Sequence, residues 1–228
     1  MQRIVLPPNT RISIIPETLY FKQPAGTSRG VYNIRDIWFI NIRSLSNDSH
    51  FGVGECAPLP DLSCDAFPDY DKILEKFCAE LEANGYLEVE YLKPYPSILF
   101  GLETAIRHYE SNSPVLWDTA FTRSETGIPI NGLIWMGDYD KMLSQIEEKM
   151  SSGFRCIKLK IGAINFEQEI SLLRKIRERY SASEIELRVD ANGAFPVNEA
   201  LDKLTILAEL QLHSIEQPIR AGQWEEMR

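Results

Sequence analysis

Several absences narrow the sequence before any motif is read. No apolar run approaches the ~18 residues of a membrane span. Met1–Thr10 holds one arginine and two prolines but no long apolar stretch, so no secretory leader is visible. Cysteine is scarce: Cys56, Cys64, Cys78 and Cys156, none in a C-x-x-C pair. Without a leader these read as reduced thiols of a cytoplasmic protein. Histidine is scarcer still, with only His50, His108 and His213 and no H-x-H or H-E-x-x-H, which argues against a His-rich zinc site. Positive charge is in deficit: 24 Lys and Arg stand against 33 Asp and Glu, a net charge of −9 with no basic stripe. Neither nucleic acid nor an anionic membrane is therefore expected as a partner. No P-loop is present. Gly52–Ala57 fits G-x-G-x-x-A, but Pro58-Leu59-Pro60 stands where a helix should begin, so a dinucleotide site is rejected. Ser63 and Ser214 lack a His/Asp setting, and Cys56 reads as a small buried residue rather than a nucleophile.

What is present is an ordinary globular mix, 228 residues with 44% hydrophobic and 25% charged, enough for one large domain or two small ones. Two rhythms divide it. Residues 10–21, 36–43 and 50–55 read as strands, and Ile37, Phe39 and Ile40 show the β-branched and aromatic bias. Helical spacing follows in 68–84 (Ile73, Leu74, Phe77, Cys78, Leu81) and in 96–111 (Ile98, Leu102, Ala105, Ile106, Tyr109). Strands and then helices suggest an α+β unit over residues 1–125, with a three-stranded antiparallel sheet. From residue 126 the pattern becomes β-α-β-α-β-α-β, the mark of a parallel sheet with crossover helices. Its strands are 128–135, 156–162, 184–190 and 212–216. Gly153 stands where a helix-terminating glycine belongs, and Asn165 with Gln168 resembles a capping box. Leu201, Leu204 and Leu207 are expected in a helix core.

The chemistry concentrates at strand ends. In Cys156–Gly162, Ile157, Leu159 and Ile161 face one way and Lys158 and Lys160 the other. A central parallel strand is buried on both faces, so two such lysines are costly unless used. Desolvation and mutual repulsion would lower at least one pKa and make a neutral base available. An exposed edge strand with solvated lysines is the plain alternative. Asp190 closes the next strand, with Asn192 just beyond, and Glu216 closes the one after. Lys160, Asp190 and Glu216 thus occupy equivalent places on consecutive strands, where ligands collect in α/β folds. Singly, Asp190 could be a turn or cap aspartate and Glu216 a surface carboxylate. Together they suit a hard cation such as Mg²⁺ (or Mn²⁺), able to stabilise an enediolate formed when a lysine removes an α-proton.

The motifs K-L-K-I-G, R-V-D-A-N-G-A and I-E-Q-P resemble those of the enolase superfamily, in its muconate-lactonising subgroup. Gly52–Pro60 (G-V-G-E-C-A-P-L-P) resembles the cap motif of the o-succinylbenzoate synthases within it, and residues 24–30 and 130–135 resemble segments of the menaquinone-pathway synthases. The resemblance extends over essentially the whole chain. It implies an α+β capping domain (1–125) followed by a (β/α) barrel, with 126–228 forming about its first half, the first four βα units. It also implies a Mg²⁺-dependent hydro-lyase acting on a small-molecule carboxylate in menaquinone biosynthesis, the syn dehydration of 2-succinyl-6-hydroxy-2,4-cyclohexadiene-1-carboxylate to o-succinylbenzoate. Lys160 would be the α-proton base that returns the proton to the departing hydroxyl, and Lys158 would tune it and approach the substrate. Asp190 and Glu216 would be metal ligands. Asn192 would support the metal site or bond substrate, and Ser28 and Arg29 would lie in a cap loop closing over it.

The resemblance also exposes a departure. The family places a third metal carboxylate at the end of a fifth strand and a second lysine beyond it, whereas this chain ends at Arg228, just after the fourth strand. The expectation is a fragment of a longer protein, inactive by itself. Two alternatives stay open: a dipeptide epimerase or N-acylamino acid racemase of the same superfamily, and an inactive truncated binding module.

Overall fold

The computed structural model describes residues 2–27 and 30–228. The chain folds as two compact units, one built largely from residues up to Gly127 and the other from Ile128 onward.

In the first unit, β1 (Arg3–Val5) pairs antiparallel with β5 (Tyr86–Glu88), and β2 (Thr10–Thr27), β3 (Gly30–Ser44) and β4 (Phe51–Cys56) form a three-stranded sheet in that order. Strands β3 and β4 are antiparallel, with Ile40 opposite Gly54. Side-chain bonds from Ser13 to Asn41 and from Thr18 to Asp36 run β2 antiparallel to β3 as well. The strands β1 and β5, three residues each, are too short to leave an alternating pattern in the sequence.

The helices follow their apolar periodicity. Helix α1 (Tyr70–Asn84) buries Leu74, Phe77, Cys78 and Leu81, and stops at Gly85, whose φ of 74° only glycine adopts readily. The single turn α2 (Val89–Leu92) leads into α3 (Pro96–Ser111), which opens on a proline and buries Ile98, Leu102, Ala105 and Ile106. Cys56 is fully buried in this core, as expected of a small apolar side chain.

The glycines of the G-x-G sequence have a packing role. A Cβ on Gly54 would stand 1.8 Å from the carbonyl oxygen of Gly101, and one on Gly52 would stand 2.1 Å from that of Ala105. Strand β4 therefore lies backbone to backbone against α3. Gly54→Ala is expected to lower stability by about 1–3 kcal/mol or more, because the obstacle is helix backbone that cannot rotate away. An unchanged Tm in thermal denaturation would mean that α3 does not seat this closely.

The second unit is a four-stranded parallel sheet in the order β6 (Gly132–Ile134), β7 (Cys156–Lys160), β8 (Glu186–Asp190), β9 (Ser214–Glu216). Crossover helices α4 (Tyr139–Ser151), α5 (Phe166–Arg179) and α6 (Val197–Glu209) connect the strands, and α7 (Trp224–Met227) follows β9. Ile157, Leu159, Leu187 and Val189 face a core completed by Met142, Ile146, Ile170, Leu172, Leu173 and Leu207. Gly153, at φ 82°, follows the end of α4.

Two local expectations change. Asn165 does cap α5, accepting from the N–H of Glu167 at 2.9 Å, but the side chain that reaches back to the loop is Glu169 rather than Gln168. Leu201 is 75% exposed rather than core, because α6 turns Ala200 and Leu207 inward and places Leu201 off that face.

Candidate active site

The parallel register aligns the strand ends. Lys160 is paired with Asp190 across β7 and β8, and Asp190 with Glu216 across β8 and β9. Three chemically distinct side chains thus stand in one row at the carboxyl edge of the sheet, where strands hand over to loops. Lys158 lies one residue pair earlier on the same face of β7 and reaches the row. Its Nζ donates a hydrogen bond to Glu216 Oε2 and lies 3.6 Å from Asp190 Oδ2. Lys160 Nζ lies 3.9 Å from the same Asp190 oxygen and donates to Asn192 Oδ1 at 3.3 Å. Lys158, Lys160, Asp190, Asn192 and Glu216 therefore meet in one cluster. Ser28 and Arg29 lie outside the described residues.

Burial within the cluster is graded. The Asp190 side chain is 4% exposed, those of Lys160 and Lys158 18% and 23%, and that of Glu216 61%. Asp190 is fixed from behind: its Oδ1 accepts the backbone N–H of Asn192 at 3.0 Å, leaving Oδ2 for the lysines. The sequence expectation of a depressed lysine pKa is reversed at Lys158. The hydrogen bond to Glu216 holds its ammonium above the ordinary lysine range, against a smaller effect of burial, and Asp190 adds to the same direction. Two carboxylates facing the lysine outweigh the cost of its partial burial.

The loops after the strands are held in left-handed backbone. Asn192 (φ 47°) and Gln217 (φ 43°) are non-glycine residues in this region, and Gly162 (φ 93°) and Gly193 (φ 75°) share it. Such conformations are costly for branched chains and persist where surrounding contacts impose them. Here the β-ladder continues past the strand ends: Ile161 donates to Asp190 O, Ala191 to Glu216 O and Gly193 to Gln217 O, at 2.8, 3.0 and 2.7 Å.

Two further residues belong to this region and were not singled out from the sequence. Trp135, just after β6, presents its ring 5.8 Å from Lys160 Nζ. Glu169, on α5, is 1% exposed and accepts at Oε1 from the N–H groups of Gly162, Ala163 and Ile164 at 2.6, 3.2 and 3.4 Å. Its burial raises its pKa and the three backbone donors oppose that rise. Trp135 sits in a stretch already noted for resemblance, and the only signal for Glu169 was an acidic residue among apolar ones on a helix face.

The chemistry of the donor set suits a divalent cation of the magnesium type. Asp190 and Glu216 offer hard oxygen ligands from register-paired positions, and Mg²⁺ is commonly held through one or two carboxylates with water completing the shell. Among the described residues no three His, Cys, Asp or Glu side chains are grouped to hold a metal, so these two carboxylates are what the cluster contributes.

Parallel strands joined by crossover helices, with charged groups at their carboxyl ends, define the protein class as α/β of the (β/α)-barrel type, and the four strands constitute a partial barrel. Residues 141–228 match the family described as "Enolase C-terminal domain-like". The chain is 39% identical over 244 residues to an o-succinylbenzoate synthase of Desulfotalea psychrophila, covering 92% of this chain and 65% of that protein. It is 27% identical over 225 residues to a hydrophobic dipeptide epimerase of Roseobacter litoralis, covering 90% of this chain and 61% of that protein. The crystal structure of MenC from Desulfotalea psychrophila superposes with a TM-score of 0.73 at 33% identity, covering 96% of this chain and 67% of that one. That of o-succinylbenzoate synthase from Thermosynechococcus elongatus, complexed with Mg in its active site, superposes with a TM-score of 0.70 at 21% identity, covering 95% and 64%. The chain belongs to the enolase superfamily. It spans slightly less than two thirds of the length of these two curated relatives. Among the described residues no helix is long and apolar enough to cross a membrane.

Proposed function

We propose that this chain carries the first part of the active site of an o-succinylbenzoate synthase, a hydro-lyase that dehydrates 2-succinyl-6-hydroxy-2,4-cyclohexadiene-1-carboxylate in menaquinone biosynthesis. Residues 1–125 serve as the capping domain and 126–228 as the first four βα units of the barrel. The observation that carries this reading is the row of Lys160, Asp190 and Glu216, with Lys158 and Asn192 against it. The synthase is preferred to an epimerase because the Desulfotalea psychrophila relative shares 39% identity against 27% for the Roseobacter litoralis epimerase.

Each residue has a distinct task. Lys160, partly shielded and next to Asn192, takes the α-proton and returns it to the departing hydroxyl on the same face, a syn elimination. Lys158, a cation at the same edge of the sheet, attracts the anionic substrate and opposes the negative charge that grows during proton removal. Asp190 and Glu216 would hold a divalent cation, which when bound supplies charge stabilisation to the substrate carboxylate as its α-carbon loses a proton. Asn192 orients the Lys160 amine through its side-chain oxygen.

The test is a substrate comparison with purified protein whose barrel is complete, since residues 1–228 by themselves are expected to be inactive. Appearance of the aromatic absorbance of the product from the cyclohexadiene carboxylate is expected. Deuterium wash-in at the α-carbon of dipeptides or N-acylamino acids, without that absorbance, would move the assignment to an epimerase or racemase. No reaction with either class, together with no Mg²⁺ binding, would favour a binding module.

A further inference from the structure

Glu169 is a carboxylate in a place that ordinarily takes an aliphatic side chain. It is 1% exposed, one residue before the fully buried Ile170, and its Oε2 is buried with no hydrogen-bond partner. A buried carboxylate with one oxygen unsatisfied is destabilising unless the other makes strong bonds. Here Oε1 collects three consecutive backbone N–H groups, of Gly162, Ala163 and Ile164, from a turn that begins two residues after Lys160. Gly162 and Ala163 are themselves exposed, so a surface turn is tied to an anion inside the core.

The turn is coupled to its neighbour. Gly162 is at φ 93°, and a Cβ there would stand 2.3 Å from Ala194 Cβ, so the loop after β7 presses on the loop after β8. That second loop carries Asn192, whose side-chain oxygen receives Lys160 Nζ at 3.3 Å. Between the two, Ile161 is fully buried and its N–H is bonded to Asp190 O at 2.8 Å. Lys160 is thus held on one side by the β-ladder and on the other by a turn that Glu169 closes.

We propose that Glu169 is a positioning residue: its carboxylate fixes the turn at Gly162–Ile164 and thereby holds the Lys160 amine against Asn192. This rests on the assignment of Lys160 as the base. A misplacement of about 1 Å at a reacting group costs about a hundredfold in rate, so a remote anchor can matter to turnover without touching substrate.

The experiment compares Glu169→Gln, which keeps the shape and removes the charge, with Glu169→Asp, which keeps the charge one methylene short. Hydrogen exchange is followed at the amides of Gly162, Ala163 and Ile164, with Leu172 and Leu173 of α5 as internal references. The Lys160 amine is followed by NMR after isotopic labelling, assigned by its loss in Lys160→Arg. For Glu169→Gln the three amides are expected to exchange about tenfold faster, the references to be unchanged, and the Lys160 signal to move toward that of an exposed lysine. In protein that turns over substrate, kcat is expected to fall about tenfold to a hundredfold with KM little changed, and Glu169→Asp to recover part of the loss. Faster amides with an unmoved Lys160 signal would overturn the proposal and leave Glu169 closing a turn only. Equal loss of protection in α5 would also overturn it, by making Glu169 a helix-stability residue. Neither the exchange nor the lysine arm needs turnover, so absence of turnover in a parent with a complete barrel would count against the proposed reaction while those arms still decide the role of Glu169.

Discussion

In the full-length enzyme, replacing Lys160 with alanine is expected to remove nearly all α-proton abstraction while leaving the fold intact. The side chain closes no core: its amine meets Asn192, lies 3.9 Å from Asp190 and faces the Trp135 ring. Asp190 keeps the Lys158 ammonium as a neighbour when Lys160 is gone, so the buried carboxylate is not left alone. Loss of a general base is typically worth 10²–10⁴-fold, about 3–5 kcal/mol of barrier. The measurements are deuterium incorporation at the substrate α-carbon, product absorbance and a circular dichroism melt. Lys160→Arg is expected to fail equally, because a guanidinium stays charged and cannot accept the proton. Near-normal turnover in either variant would transfer the role of base to another group, with Lys158 the first to be examined.

The second large effect is expected at Asp190. Asp190→Asn preserves the shape and an oxygen to accept the Asn192 N–H, so the loop after β8 should hold. What it removes is one negative charge, 4% exposed, at the centre of the row. Divalent-cation affinity is expected to fall by about a hundredfold or more, since loss of residues that merely support a ligand already costs tenfold to a hundredfold. Mn²⁺ binding followed by the electron paramagnetic resonance of the free ion measures this directly. Glu216→Gln should act in the same direction, and either variant should lose turnover in parallel with cation binding. Unaltered Mn²⁺ affinity in both would mean that the two carboxylates serve Lys158 rather than a metal. Removing both lysines opposite Asp190 is a different perturbation: the Lys158→Met, Lys160→Met double variant leaves a buried carboxylate without an ion-pair partner and is expected to destabilise the second unit.

Much of the architecture was legible because it is written in short-range periodicity. The spacings of Leu74, Phe77, Cys78 and Leu81, and of Ile98, Leu102, Ala105 and Ile106, announce helices that the structure contains. Strict alternation in Cys156–Lys160 separates a core face from a lysine face, and the repeat of about one βα unit sets Lys160, Asp190 and Glu216 at successive strand ends. These features depend on neighbours a few residues apart, and the hydrophobic effect enforces them whichever partner the face meets.

Other features depend on groups brought together from distant positions, and only the tertiary structure decided them. Lys158 is shifted upward because Glu216 and Asp190, far along the chain, fold over its amine. Gly52 and Gly54 are required by the backbone of α3, about fifty residues on, and not by a phosphate. Glu169 looks like any acidic residue on a helix until the loop after β7 wraps its N–H groups around one oxygen. Leu201 looks like core until the helix is rotated by its packing. The sequence by itself determined which residue types stand at the ends of which strands. Chain closure in three dimensions decided which oxygen faces which nitrogen, because hydrogen-bond and Coulomb energies change over ångströms that no sequence spacing records.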